Sequence, residues 1–207
     1  MSDVSTAGNR VHKPLYHLRT DLFRWHQYQG RNTNDCAAFS AATVCNALLD
    51  SRHFDGYAIA REMEKTALVS RPVPHITIRK IPKWATLPWG IAGYLRSKGI
   101  RARLRWLGTT EDLLRNIQED RPTIVIIGEP FLHDGLEYKG WGHAKVLYGF
   151  EPTGPQPERG FYFIDPGYSK TESHTEHPPG VFRQGEAEFM QQWRELLRLY
   201  VEAEVQS

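Results

Sequence analysis

NDCAAFSAATVCNALL, residues 34–49, is the stretch that decides how the rest of the chain is read. Apolar or small residues fall on nearly every turn, and two Ala pairs allow close packing. Residues 35–49 therefore read as a helix buried over most of its surface, with Asn34 or Asp35 as N-cap. The preceding HQYQGRNTND (26–35) is a loop by composition. Cys36 thus stands in the first turn of a helix, behind a polar loop able to expose it. Backbone N–H groups at that end carry partial positive charge, which favours a thiolate and can hold a developing oxyanion. Cys45 lies mid-helix among Val44, Ala47 and Leu48 and reads as a small core residue. On one helix, a nine-residue separation puts the two Cα atoms ~13 Å apart, beyond the ~7 Å reach of a disulfide. Two unpaired thiols fit a reducing compartment.

Outward from this helix, residues 1–25 read as a lead-in segment packing on the surface, and 26–207 as the working domain. DGYAIAREMEKT (55–66) is a shorter helix. Residues 67–88, with four prolines, read as a long and partly extended loop. Pro88 opens a helix, WGIAGYLRSKGI, that ends near Gly99. RARLRW (101–106) alternates as a half-buried strand. Thr109 or Thr110 caps EDLLRNIQED, and PTIVIIGEP (122–130) is a buried strand. GHAKVLYGFE (142–151) and GFYFIDP (160–166) form a hairpin. Residues 167–183 read as loop, and EAEFMQQWRELLRL followed by LYVEAEV is a closing helix and strand. Helices come first and mostly antiparallel strands afterwards, an α+β order.

Two residues far from the helix offer chemistry to Cys36. His143 begins a strand after a glycine-flanked turn, so its ring can enter a cleft while the following apolar run anchors the backbone. Asp165 ends the next strand, in FIDPG. On paired strands the carboxylate can accept from one imidazole nitrogen and orient the ring. His26 and His133 are the other candidate bases, both expected in loops. HTEH (174–177) could suggest a metal pair, but a Pro-rich loop without a third ligand argues for plain polarity.

Bulk properties exclude several classes. The net charge of +2 gives no general attraction to nucleic acid or acidic lipid. No apolar run approaches the ~18 residues of a membrane span, and the polar first residues do not resemble a secretory signal. A cytoplasmic setting is expected. Arg101, Arg103 and Arg105 read as a solvated strand face or a cluster for acidic groups. Trp84, Trp89 and Trp141 flank the candidate site as groove wall or core. Gly149 reads as a point of close backbone approach in a twisted strand.

NDCAAFSAATVCNALL resembles the nucleophile helix of papain-like cysteine peptidases of the bacteriocin-processing, double-glycine-leader type. GWGHAKVLYGFE and FYFIDPG resemble that family's His strand and Asp–Pro strand. LLRNIQEDRPTIVII, PWGIAGYLRSKGI and EFMQQWRELLRLYVEAEV match its other elements in order, over roughly residues 26 to 205. The resemblance implies a papain-like α+β fold, a helical half packed on a mostly antiparallel sheet. It implies Cys36 as nucleophile, His143 as base and acid, and Asp165 as orienter. A Gln ahead of the Cys completes the family's oxyanion hole; Gln29 is the match, one residue further upstream than usual, with Gln27 or a loop Asn as alternatives. Many relatives carry Gly-Pro after the Cys, where this chain has Ala37-Ala38. The implied reaction is acyl transfer from a peptide or protein amide, with no metal or organic cofactor. An acyltransferase, a deamidase or a degenerate peptide-binding module could share the same frame, and the oligomeric state is left open.

Overall fold

A computed structural model describes residues 16–30, 33–69, 75–82, 84–134, 137–152, 159–168 and 180–205. The expected buried helix is α1, Cys36–Leu49, and Ala37 to Asn46 are all buried. It ends at Asp50 in the left-handed region, φ 42°. Helix α2 spans Gly56–Glu64, and its Asp55 N-cap accepts from the Ala58 N–H. Helix α3 runs Pro88–Ser97, with Pro at its start and Gly99 at φ +81° beyond its end. The glycine is needed there because the left-handed conformation costs other residues their Cβ clearance. Helix α4, Thr110–Gln118, starts in a full capping box between Thr109 and Asp112. Helix α5 spans Glu186–Glu195.

The strands are β1 (Tyr16–His17), β2 (Ala67–Val69), β3 (His75–Thr77), β4 (Lys80–Ile81), β5 (Ala85–Thr86), β6 (Ile100–Arg105), β7 (Thr123–Asp134), β8 (Glu137–Glu151), β9 (Gly160–Ile164), β10 (Val181–Gly185) and β11 (Tyr200–Val205). The main sheet runs β10-β9-β8-β7-β11-β6, with β1 added to β8, and every described pairing is antiparallel. Helices α1, α2 and α3 join one face in a core with Ala144, Val146, Tyr162, Ile164 and Val201. Helices α4 and α5 cover the other face over Val125, Leu147, Phe161, Phe163 and Tyr200. Coverage on both faces explains why strands such as GFYFI are apolar at every position rather than alternating. The α+β architecture expected from the element order is the one observed.

Four expectations need correction. Residues 18–25 are not a surface lead-in: Leu18, Leu22 and Trp25 are buried, and β1 extends the sheet. Within 167–183, the last residues form the start of β10, which pairs along β9 from Val181–Ile164 to Gly185–Gly160. The region 67–88 carries two short hairpins, β2–β3 and β4–β5. His133 lies in β7 rather than a loop. Gly149 pairs with Tyr162 just beyond a register shift between β8 and β9 that leaves Tyr148 without a partner on β9. The three arginines of β6 face Glu202 and Glu204 across β11, at 3.0 Å for Arg101–Glu204 and 2.8 Å for Arg105–Glu202. They form an internal ion-pair ladder. Among the described residues, no helix is long and apolar enough to cross a membrane.

Candidate active site

The N-terminus of α1 is pinned to the middle of β8 by two hydrogen bonds to Ala144. The Ala144 N–H donates to Cys36 Sγ at 3.4 Å, and Ser40 Oγ donates to the Ala144 carbonyl at 3.0 Å. Cys36 and Ser40 are one turn apart on the same helix face, so the two bonds fix the helix against the strand in both position and rotation. His143, the neighbour of Ala144, is thereby set beside the thiol.

His143 Nε2 lies 2.8 Å from Asp165 Oδ1. With Nε2 committed there, Nδ1 is the nitrogen left for the Cys36 thiol, the ring's second hydrogen-bonding neighbour. Burial disfavours the imidazolium, but the hydrogen bonds from Asp165 and Cys36, with the charge of each, outweigh burial and raise the His143 pKa to about 10. Burial likewise works against an ionised Asp165, yet the bond and charge of His143, the charge of Lys145 and the Gly167 N–H together hold the carboxyl below its ordinary value. The Gly167 N–H reaches Asp165 Oδ1 at 2.7 Å. A Cβ at 167 would stand 3.0 Å from that oxygen, tight enough that the carboxylate would have to give slightly, and in ordinary contact with the His143 ring at 3.6 Å.

The rejected base candidate His26 has a different place. It is buried, and its Nε2–H donates to the Asp165 carbonyl at 3.0 Å, bracing the backbone beneath the carboxylate. The 26–30 loop is further tied to this turn by the Gln29 N–H, which donates to the Pro166 carbonyl at 2.9 Å. The glutamine alternatives separate clearly. Gln27 spends both ends of its amide on structure, donating to Phe54 O at 2.6 Å and accepting from the Gly56 N–H at 2.9 Å. Gln29 lines the same cavity as Cys36 and His143, and its Oε1 is buried without a hydrogen bond.

That cavity has a volume of about 450 Å³. Trp84, Leu87, Ile91, Trp141, Leu196 and Leu199 give it apolar walls around the thiol. Trp89 is not among its lining residues; the indole N–H instead donates to Ile78 O at 2.8 Å. One wall is carried by the β4–β5 hairpin, and Lys80 of β4 bonds to Asp35 at 2.7 Å and Glu64 at 2.9 Å. Asp35 makes no capping bond to its own helix. The first N–H groups of α1 are therefore not occupied by that side chain.

Cys45 is fully buried, and burial, with smaller opposing effects of Lys98 and Glu62, pushes its thiol up to about 12. Both cysteines are free thiols. Among the described residues, no group of three or more His, Cys, Asp or Glu side chains is placed to hold a metal ion. HTEH (174–177) lies outside the described residues. Sequence reading missed Lys145, which is buried two residues after His143; its signal was a lone charge in the apolar run AKVLYGF.

No family model matches the chain, and no curated protein matches it by sequence. Solved structures do match its fold. A Bacillus anthracis protein provisionally named a C39-like peptidase superposes with a TM-score of 0.62, at 12% identity, covering 93% of this chain and 98% of that one. The chain has the papain-like α+β fold, its helix-borne thiol facing strands that carry a histidine and an aspartate.

Proposed function

We propose that the chain is a cysteine peptidase or amidase that cleaves an amide through a thioester on Cys36. The observation that carries this is one hydrogen-bonded line, Asp165 to His143 to Cys36, ending at a helix N-terminus inside an apolar cavity. A His143 that keeps its proton past neutral pH favours the thiolate–imidazolium pair needed for attack. The thiolate adds to the substrate carbonyl, and the Cys36 backbone N–H and the Gln29 amide receive the oxyanion. His143 then protonates the leaving amine, and the amide bond breaks to leave the thioester. In the acyl-enzyme the neutral imidazole takes a proton from water, whose oxygen attacks the thioester and releases Cys36.

The substrate proposed is a peptide or unfolded protein segment carrying an apolar residue near the scissile bond, matched to the Trp84, Leu87 and Trp141 walls. The ordered resemblance to bacteriocin-processing peptidases favours peptide over small-molecule amides. The test is iodoacetamide alkylation at neutral pH. Wild-type Cys36 is expected to react at least tenfold faster than free cysteine thiol at that pH, His143→Ala to lose the advantage, and Cys36→Ser to lose the reaction. A wild-type rate no higher than that of the free thiol would overturn the proposal.

A further inference from the structure

A lysine inside a strand covered on both faces is rare unless its charge is matched. Lys145 is 1% exposed. Its Nζ donates to Gln184 Oε1 on β10 at 2.6 Å and stands 3.8 Å from the centre of the Phe163 ring, with Phe182 and Phe189 further round. Gln184 donates in turn to Gln192 on α5 at 2.9 Å. None of these partners is an anion. The matching charge lies at the end of the strand pair: Val146–Ile164 is the last pair of β8 with β9, and Lys145 and Asp165 are the residues that flank it on the two chains. Burial lowers the Lys145 pKa to about 8, and Asp165 and, after it, Glu188 on α5 are the anions whose fields work the other way and favour the ammonium.

We propose that Lys145 is a positioning residue, a buried ammonium oriented by Gln184 that serves as the standing counter-charge of Asp165 while His143 is neutral. The inference rests on the triad roles proposed above. The Asp165 side chain is 5% exposed, so its charge must be balanced from within the protein. The imidazolium balances it before and during attack. In the acyl-enzyme, Cys36 is no longer an anion and His143 is the neutral base. A buried carboxylate facing a neutral ring tends to take up a proton, and the protonated acid loses much of its hold on the imidazole. The Nε2–H of the neutral ring, Lys145 and the Gly167 N–H are what still favour the charged form. Lys145 makes and breaks no bond.

The effect therefore falls on deacylation rather than acylation, which p-nitrophenyl acetate separates as a burst followed by steady turnover. Lys145→Met keeps an unbranched side chain of similar length. It is expected to retain the burst, slow the steady phase at least tenfold, and move the acid limb of that phase up by about one pH unit or more. In an Asp165→Asn background the same substitution is expected to change the steady phase less than twofold, since the charge to be balanced is gone. A lysine with only a packing role would act alike in both backgrounds. Should the variant not fold, carbon NMR of the lysine ε-methylene reads the pair directly: the Lys145 titration must move to lower pH in Asp165→Asn, and an unmoved titration overturns the proposal. No p-nitrophenol release by the wild type beyond that of Cys36→Ser defeats the hydrolase reading itself. A normal wild-type burst with an unaltered Lys145→Met steady phase defeats only this one.

Discussion

Ser40→Ala removes one oxygen and tests whether the bond from α1 to Ala144 sets the register of the site. Ser40 is 1% exposed and its hydroxyl is 3.0 Å from the Ala144 carbonyl. Removing it leaves that acceptor without this donor, which costs about 1–3 kcal/mol. For a domain of this size about 2–4 °C accompanies each kcal/mol, so the melting temperature should fall by about 2–12 °C. If half of a typical loss, about 1 kcal/mol, appears as misalignment of Cys36 with His143, alkylation slows about fivefold at 25 °C, where the fold persists. Ser97→Ala is the control: Ser97 Oγ donates to Tyr94 O at 2.7 Å, at the end of α3 and away from the thiol. It should lower the melting temperature and leave alkylation unchanged. If Ser40→Ala also melts lower yet alkylates at the wild-type rate, the bond is ordinary packing and the register reasoning is wrong.

Three further outcomes are expected. Gln29→Ala should lower the p-nitrophenyl acetate burst rate by about 10²–10³ while leaving iodoacetamide alkylation within twofold, because only the ester passes through an oxyanion. Cys45→Ala should leave alkylation unchanged and cost about 1 kcal/mol in urea unfolding, a small cavity in a site with no exposed surface. The stability difference between wild type and Asp165→Ala should depend on pH at both ends. The His143 contribution is complete below 6.5 and is lost as pH rises through about 10, where the folded-state imidazolium gives up its proton. The Asp165 contribution is present above 3.8 and is lost as pH falls through the lowered folded value. Urea midpoints from about pH 2 to about pH 11 measure it, and a pH-independent difference would contradict the ion pair.

The helix bearing Cys36 and the strands bearing His143 and Asp165 were legible because local signals agree there: a cap residue and small-residue packing for α1, apolar runs for β8 and β9. Strand β10 was not legible, since VFRQG lies beside a His- and Pro-rich stretch and becomes a strand only through its pairing with β9. Leu18, Leu22 and Trp25 are spaced by four and three as on a helix, yet only Phe23–Trp25 forms a helical turn, so their burial depends on tertiary contacts. The arginine face needed the β6–β11 register, which sets Arg103 opposite Glu202 and Arg101 opposite Glu204, before its ion pairing could be seen. Lys145 was hidden for a related reason. Its cross-strand and aromatic partners come from β9, β10 and α5, none of which a one-dimensional reading brings near it.

The Lys80 link has a mechanical side. Lys80 joins the hairpin that forms the Trp84 lip to Asp35, the residue immediately before Cys36. Prying that lip outward pulls on the very turn that aims the thiol. A displacement of the lip is therefore transmitted through one ion pair to the turn that precedes the Cys36 thiol.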